Sequence, residues 1–160
     1  MNLTKLTTMC YIQKDGKTLM LYRNKKENDV HEGKYVGIGG KFEPGETPEE
    51  CVAREVKEET GLIVNELNYH GLVSFPKFND EEDWYMFLFS CNDFDGELTE
   101  ETMKECLEGD LVWVDNDEVR NLNTWNGDKL FMEWMISSNI FSGKIEYENG
   151  RVNKYSVDFY

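Results

Sequence analysis

Apolar and polar positions alternate loosely over residues 4–13, and this segment together with the later short apolar segments predicts a succession of β-strands. The first predicted strand ends at Asp15-Gly16 and the last two flank Asn149-Gly150, both of which are typical hairpin turns. A short apolar segment at 35–38 stops at two consecutive glycines. The predicted strands cover residues 4–13, 18–22, 62–67, 70–74, 84–91, 110–114, 143–147 and 152–159.

The segment 47–60 carries the clearest helix signal in the chain. Thr47 suits the N-cap, Pro48 the first helical position, and Glu50 completes a capping box. Gly61 follows the last turn and suits a left-handed C-terminal cap. These signals predict a helix that begins and ends sharply.

The rest of the chain predicts the fold class. Residues 128–137 carry apolar side chains at helical spacing, whereas 23–34 form a polar loop and 94–109 are acidic and ambiguous. No linker, repeat or low-complexity segment interrupts the pattern. Strands combined with two main helices predict an α+β fold, with a single domain over residues 1–160.

The composition narrows the range of partners. With 17 basic and 32 acidic residues the net charge is −15, so no basic surplus exists to displace counterions from DNA or RNA. No apolar run approaches the roughly 20 residues of a membrane span, and no signal peptide is evident. The four cysteines are widely spaced, which favours small apolar residues in a reducing compartment. We therefore expect a cytoplasmic protein with neither a duplex nucleic acid nor a membrane as its partner.

Three glutamates, Glu55, Glu58 and Glu59, lie at i, i+3 and i+4 of the predicted helix, which places their carboxylates on one face. Like charges at this spacing destabilise an isolated helix, and hard divalent cations bound by carboxylate oxygens would neutralise them. Arg54 can reach back to Glu46 or hold a glutamate by a bidentate pair. For the three glutamates alone, an ordinary exposed acidic helix is the alternative interpretation.

The segment from residue 40 to residue 62 carries a longer pattern. It consists of Gly, five residues, Glu, seven residues, then Arg-Glu-hydrophobic-x-Glu-Glu-x-Gly-hydrophobic, and all nine fixed positions match. A chance match has a probability of roughly 10⁻⁶ from composition alone. The segment resembles the Nudix box, and the chain is identified as a member of the Nudix hydrolase family on this resemblance.

The resemblance implies a Nudix α/β/α sandwich with a mixed β-sheet, in which the box forms a loop, a helix and a loop. It also implies hydrolysis of a nucleoside diphosphate linked to another group, with Mg²⁺ as the cofactor or Mn²⁺ in its place. The metal ligands implied by the box are the carbonyl of Gly40 and the carboxylates of Glu55, Glu58 and Glu59.

The family resemblance also assigns catalytic roles. Arg54 matches an arginine that fixes a glutamate, and Glu108 matches an additional acidic metal ligand, with a solvated loop acid as its alternative. Glu55 matches a position that acts as the base or orients the water. The residues themselves leave the general base open among Glu55, Glu58 and Glu46.

Beyond the box, the chain resembles the MutT-type branch of the family, which includes oxidised-purine nucleoside triphosphatases. Two departures affect the base-binding residues: Val36 stands where some of these enzymes have Asn, and Gly127 precedes Asp128 where they have two adjacent acids. Both changes remove polar groups that read the base, so they put oxidised-guanine specificity in doubt. The matching segments are 35–41, 111–114, 125–128 and 141–147.

The same branch implies a substrate-binding pocket. Trp125 matches an aromatic residue that stacks on the base, and Asp128 matches an acid that hydrogen-bonds the base edge. A core tryptophan and an acid at a helix N-terminus are the alternatives. Phe75 and Trp84 are further pocket candidates, and Lys41 resembles a family lysine that contacts phosphate.

Three residues outside these patterns also concern ligand binding. Arg23, in the polar loop, is a candidate to contact phosphates, with a solvated position as its alternative. His31 and His70 have no metal-ligand spacing with each other or with a cysteine, so we interpret them as a loop and a strand histidine.

Together these observations predict a MutT-type nucleoside triphosphate pyrophosphatase that removes 8-oxo-dGTP or a related damaged nucleotide. The alternatives are a Nudix hydrolase of another compound, such as ADP-ribose, a dinucleoside polyphosphate or a capped RNA end, and a catalytically silent nucleotide-binding module. The partner is a small nucleotide in the first of these, and the sequence leaves open a monomer or a homodimer.

Overall fold

The computed structural model describes residues 3–79 and 81–160. Within them the chain forms strands, three α-helices and one 3₁₀-helix at Asn116–Asn121. The helices are α1 (Pro48–Thr60), α2 (Glu100–Lys104) and α3 (Asp128–Trp134). The strands are β1 (Leu3–Lys14), β2 (Lys17–Tyr22), β3 (Tyr35–Val36), β4 (Ile63–Asn79), β5 (Glu82–Asp95), β6 (Asp110–Asp115), β7 (Phe141–Glu148) and β8 (Arg151–Phe159).

All of these strands belong to one mixed sheet. Its order is β3-β2-β1-β5-β4-β7-β8, and β6 pairs separately with β2. The pairs β1–β5 and β4–β7 are parallel, and the other pairs are antiparallel. The mixed sheet and its few helices confirm the predicted α+β fold.

The sheet has a hydrophobic core on each face, because successive residues of a strand point to opposite sides. In β1, Cys10 and Ile12 pack in the core that contains Val52 and Val56 of α1. The alternate residues of β1 pack in the second core with α3, which contributes Phe131. The central strand is therefore buried on both faces, as the α/β/α sandwich requires.

Helix α1 confirms the prediction made from its terminal residues. The Thr47 hydroxyl accepts a hydrogen bond from the Glu50 N–H, and Glu50 accepts one from the Thr47 N–H, both at 3.1 Å. Pro48 is the first helical residue, and Gly61 closes the helix with φ at 78°. The buried residues of one side, including Val52 and Val56, hold α1 on the sheet and leave its glutamates on the other side.

Several elements differ from the sequence prediction. The two strands expected at 62–67 and 70–74 are one strand, β4, whose pairing with β5 shifts register four times. The ambiguous acidic segment contains the end of β5 and the short helix α2. Helix α3 ends at Trp134 rather than at residue 137. No helix in the described parts of the chain is long and apolar enough to cross a membrane.

Candidate active site

Arg54 connects the acidic residues of the box. Its guanidinium donates to both oxygens of Glu46, from Nε at 2.7 Å and from Nη2 at 3.0 Å. Nη1 donates to Glu55 at 2.8 Å and to Glu58 at 3.3 Å. Nη2 also donates to the Lys41 carbonyl at 3.0 Å. The arginine therefore fixes the loop that precedes α1 against the helix.

Glu46 is fully engaged by these contacts. Its Oε1 also accepts the Glu43 N–H at 2.7 Å. The hydrogen bonds from Arg54, and then the one from Glu43, hold the pKa of Glu46 below its usual range. A carboxylate stabilised in this way is a weak base, so the geometry favours Glu55 over Glu46 as a proton acceptor. The choice of general base stays a prediction.

The Glu55 carboxylate lies against the backbone of Gly40. A Cβ on Gly40 would lie 2.5 Å from the Cδ of Glu55 and 2.7 Å from each of its oxygens. The Gly40 carbonyl accepts the Thr8 N–H at 2.9 Å, which ties this loop to β1. Burial raises the pKa of Glu55, although Arg54 acts in the opposite direction. A half-buried carboxylate beside a fixed carbonyl suits a metal ligand or a base.

Glu59 is the least satisfied acid in this region. Both of its carboxylate oxygens are buried without a hydrogen-bond partner in the described residues. Burial, and then the neighbouring Glu108 carboxylate, raise the pKa of Glu59 to about 10. A buried acid without a donor beside a second carboxylate is unfavourable, and a bound cation would remove that cost. The residues present therefore fit a hard divalent ion.

The remaining predicted ligands are less confined. The Glu58 side chain is 58% exposed, and Glu108 accepts a hydrogen bond from Arg23 at 3.3 Å. Across residues 3–79 and 81–160, no three His, Cys, Asp or Glu side chains converge as a ready metal-binding group. The metal-ligand set therefore stays a prediction.

A cavity of about 490 Å³, which we call the cleft, extends from Glu55 and Glu108 across the second core, whereas Glu58 and Glu59 are not among its lining residues. One end is lined by Gly40, Glu55 and Glu108, and the other by aromatic residues. The structure brings most of the predicted site residues to this one cavity. They are Arg23, Gly40, Lys41, Glu55, Phe75, Trp84, Glu108, Trp125 and Asp128.

Six rings form the aromatic end of the cleft, and Phe78 is at their centre. Its ring centroid lies 5.0 Å from those of Trp84 and Trp125 and 5.6 Å from that of Phe75. In a regular strand, residues 75 and 78 would face opposite sides. The register shift after Phe75, with a positive φ at Lys77, brings both rings into the cleft. The aromatic cluster comprises His31, Phe75, Phe78, Trp84, Trp125 and Tyr147.

Trp125 is held from two directions. Its indole N–H donates to Nδ1 of His31 at 2.8 Å, and the Lys34 ammonium lies 4.8 Å from its ring centroid. Lys34 therefore covers part of one ring face by a cation–π contact. The sequence prediction named Trp125 but missed His31, Lys34 and Phe78, because their roles depend on how the loop and β4 fold over the cleft.

Asp128 begins α3 and is almost completely buried at the aromatic end of the cleft. Burial raises its pKa to about 8, while the Lys34 charge acts to lower it. At neutral pH the side chain is therefore mostly a neutral acid that can donate a hydrogen bond. Asp128 is thus a helix N-terminal acid that also lines the cleft, and its hydrogen bond to a base stays a prediction.

We expect Asp128→Asn to reduce the dependence of folding stability on pH. The pKa of Asp128 in the folded protein lies above its unfolded value near 4. Its contribution to folding stability is therefore full below about pH 4 and is lost as the pH rises through about 8. The free energy of unfolding should fall with pH more steeply in the unmodified protein, by up to ~1.4 kcal/mol per pH unit. Urea unfolding between pH 5 and pH 8.5 measures this slope.

The exposed acid Asp117, in the first turn of the 3₁₀-helix, provides the matched control. Asp117→Asn makes the same substitution in the first turn of an exposed helix and should leave the slope as it is in the unmodified protein. Equal slopes in all three proteins would contradict the burial argument for Asp128.

The two predicted phosphate-binding residues are placed differently. The Lys41 side chain is exposed, and its ammonium lies 6.0 Å from the Trp84 ring centroid on the wall of the cleft. Arg23 is largely buried and donates to Asp29 at 2.7 Å as well as to Glu108. Lys41 is thus free to reach a ligand, whereas Arg23 is mainly used to hold the loop and Glu108.

Comparisons with known proteins bear on the family. A NUDIX domain model matches residues 3–135. The chain is 32% identical to the uncharacterized Nudix hydrolase YvcI of Bacillus subtilis, over 81% of this chain and 77% of that one. It is 28% identical to an oxidized purine nucleoside triphosphate hydrolase of Danio rerio, over 91% and 88%. The crystal structure of a MutT protein from Bacillus halodurans has a TM-score of 0.81 at 29% identity, covering 96% of this chain and 97% of that one.

Proposed function

The chain belongs to the Nudix family of hydrolases, which act on acid anhydrides and generally need a divalent cation, and we propose that it is a nucleoside triphosphate pyrophosphatase. It converts a (deoxy)nucleoside triphosphate, 8-oxo-dGTP or a related damaged nucleotide, to the monophosphate and pyrophosphate. Such an activity keeps damaged bases out of DNA synthesis. The relative from Danio rerio, an oxidized purine nucleoside triphosphate hydrolase, supports this choice of substrate.

The observation that carries the proposal is the composition of the cleft. Glu55 and Glu108, two of the proposed metal ligands, line one end, and the aromatic cluster lines the other. A nucleotide has the same division, with charged phosphates joined to a flat base that stacks on aromatic side chains. The net charge of the protein is −15, so its acids repel a polyphosphate, and a cation bound between the two would offset this repulsion.

Mg²⁺ or Mn²⁺, when bound, would polarise the phosphoryl oxygens and lower the pKa of a bound water. The residues that would hold it are the Gly40 carbonyl with Glu55, Glu58, Glu59 and Glu108. Arg54 keeps Glu55 at the Gly40 backbone through its 2.8 Å hydrogen bond. Lys41 is exposed on the wall of the cleft, where its ammonium can bind a phosphate oxygen.

At the aromatic end, Trp125 offers a ring for stacking and Asp128 offers a hydrogen bond to the base. Because burial keeps Asp128 largely protonated at neutral pH, its carboxyl group donates to a carbonyl oxygen or ring nitrogen. A Val36 side chain cannot hydrogen-bond the base. Asp128 therefore contributes more to base recognition here than it would beside a polar residue at position 36.

We extend the proposal to residues 1–160 as one domain. The family match ends at residue 135, but β7 continues the same sheet by pairing with β4, and β8 pairs with β7. Ile145 of β7 is buried in the second core with Phe75 of the aromatic cluster. The terminal hairpin is therefore part of the wall that supports the cleft.

The test is hydrolysis of a panel containing 8-oxo-dGTP, dGTP, dATP, ADP-ribose and diadenosine polyphosphates with Mg²⁺. Phosphate release after coupled pyrophosphatase treatment detects triphosphate cleavage, and product chromatography covers the other compounds. We expect kcat/KM for 8-oxo-dGTP to exceed that for dGTP by at least ~30-fold, about 2 kcal/mol of discrimination.

Other outcomes distinguish the alternatives. Preference for ADP-ribose or a dinucleoside polyphosphate would retain Nudix chemistry and contradict the proposed substrate. A flat profile over the triphosphates would contradict the role in removing damaged nucleotides. Binding of nucleotides without turnover of any compound would favour a catalytically silent module.

A further inference from the structure

The loop that carries His31 is fixed by hydrogen bonds at both of its ends. The Gly33 N–H donates to the Arg23 carbonyl at 2.8 Å, and the Arg23 N–H donates to the Lys34 carbonyl at 3.0 Å. Within the loop, the His31 N–H donates to Asp29 at 3.2 Å. The imidazole is thus held at the aromatic end of the cleft by a closed loop.

The contact with Trp125 determines which His31 nitrogen carries the proton. An indole N–H can only donate, so Nδ1 of His31 must accept and is unprotonated. Burial is the main cause that lowers the pKa of His31 to about 4, and the imidazole is therefore neutral near pH 7. A neutral imidazole with an unprotonated Nδ1 carries its hydrogen on Nε2.

The Nε2–H group is available to a ligand. Among the described residues it makes no hydrogen bond, in contrast to Nε2 of His70, which is 2.7 Å from the Ser90 hydroxyl. The buried side-chain nitrogen and oxygen atoms that lack a partner do not include Nε2 of His31, so this atom is accessible. His31 itself lines the cleft. The His31 ring centroid lies 6.3 Å from that of Phe78, 6.1 Å from that of Trp84 and 5.9 Å from that of Trp125, so its polar donor is placed among the rings on which a base would stack.

We propose that His31 is a specificity-determining residue, which donates from Nε2 to an acceptor atom on the substrate base while Nδ1 orients the Trp125 ring against that base. This inference rests on the proposed nucleotide substrate and adds a residue to its recognition. With the neutral Asp128 carboxyl it supplies two donors, so the cleft favours a base edge that presents carbonyl oxygens or unprotonated ring nitrogens.

The protonation state can be measured without any activity. The chain has two histidines, so long-range ¹⁵N–¹H correlation spectra of the protein at pH 7 contain two imidazole patterns, and a His31→Gln variant identifies that of His31. We expect the Nε2-protonated form for His31 in the free protein, and a downfield shift of its Nε2–H on addition of dGMP. A proton on Nδ1, or no response of Nε2 to dGMP, would overturn the inference.

Two variants separate the two roles of His31. In His31→Asn the amide oxygen can accept the Trp125 N–H but nothing replaces the Nε2 donor, whereas His31→Gln places an amide donor near Nε2 without the acceptor. The readout is the ratio of kcat/KM for 8-oxo-dGTP to that for the base-free ribose 5-triphosphate. We expect His31→Asn to lower this ratio about tenfold, the effect of one hydrogen bond of ~1.4 kcal/mol, while the indole resonance of Trp125 is retained.

His70→Asn, the same change at the other histidine, is the control and should leave the ratio unaltered. An equal loss for both substrates in His31→Asn, or no loss for either, would show that His31 does not contact the base and would overturn the inference. If the unmodified protein hydrolyses no triphosphate, the proposed function fails, and the tautomer and dGMP measurements still decide the role of His31.

Discussion

Glu59→Gln should lower kcat by at least ~10²-fold at saturating Mg²⁺, about 2.7 kcal/mol of lost transition-state stabilisation, on the best substrate of the panel. The reason is the burial of both carboxylate oxygens without a donor, next to Glu108. A cation is the partner that fits this arrangement, and an amide cannot replace a charged ligand. The raised pKa makes Glu59 neutral near pH 7 in the metal-free protein, so glutamine resembles it in charge and shape.

The loss of activity should therefore occur without a loss of folding. Thermal unfolding without metal should be nearly the same in Glu59→Gln and the unmodified protein, while the stabilisation by Mg²⁺ seen in the unmodified protein should be reduced. Glu49→Gln makes the same change at an exposed position in the first turn of α1 and should leave both quantities unaffected. If Glu59→Gln retains turnover within ~3-fold of that control, Glu59 is not a metal ligand.

The sequence predicts the box helix well because the information is local. The capping residues Thr47 and Glu50 and the glycine at 61 specify where α1 begins and ends, and each contact is within four residues. The spacing of Glu55, Glu58 and Glu59 then follows from helical geometry alone. The pair between Arg54 and Glu46 is also local, because only seven residues separate them, namely the N-cap and the first turns of α1.

The aromatic end of the cleft could be predicted only in part. The resemblance supplied Phe75, Trp84 and Trp125, all of which line the cleft. Phe78 was missed because the predicted strand ended at residue 74, and the irregularity at Lys77 that brings Phe78 to the same side as Phe75 leaves no clear signal in the sequence. His31 was interpreted as a loop histidine, since its contact with Trp125 joins residues 94 positions apart.

Burial explains the remaining differences in chemistry. The sequence identifies Asp128 and Glu59 as acids, but their raised pKa values arise from packing of distant segments around them. For Arg23 the fold removes a function that the sequence suggested. Its guanidinium N–H groups, which the sequence leaves available for phosphate, donate to Asp29 and Glu108 instead. Charge can be counted from the sequence, but which charges are paired depends on the fold.

Gly40→Ala should lower kcat/KM by about 10²-fold with little change in stability, since a displacement on the order of 1 Å at a reacting group has an effect of that size. The three heavy atoms nearest to the added Cβ would all belong to the Glu55 carboxyl, at 2.5–2.7 Å, and none of them is a backbone atom. The flexible end of Glu55 can move aside, so the fold is retained while the carboxylate leaves the Gly40 backbone. Gly39→Ala differs, because its Cβ would lie 2.0 Å from the Thr8 carbonyl oxygen and would disturb β1 itself.

Gly39→Ala is the control for this prediction. A double variant tests whether displacement of the Glu55 carboxylate causes the loss of activity. Urea unfolding should place Gly40→Ala within about 1 kcal/mol of the unmodified protein and show a larger loss for Gly39→Ala. In a Glu55→Ala background, the space that the new Cβ needs is already empty, so Gly40→Ala should cause little further loss of the residual rate. An undiminished further loss there would mean that Gly40 acts on catalysis by a route other than Glu55. Full activity of the single variant would mean that the position of the Glu55 carboxylate against Gly40 has no role in the reaction.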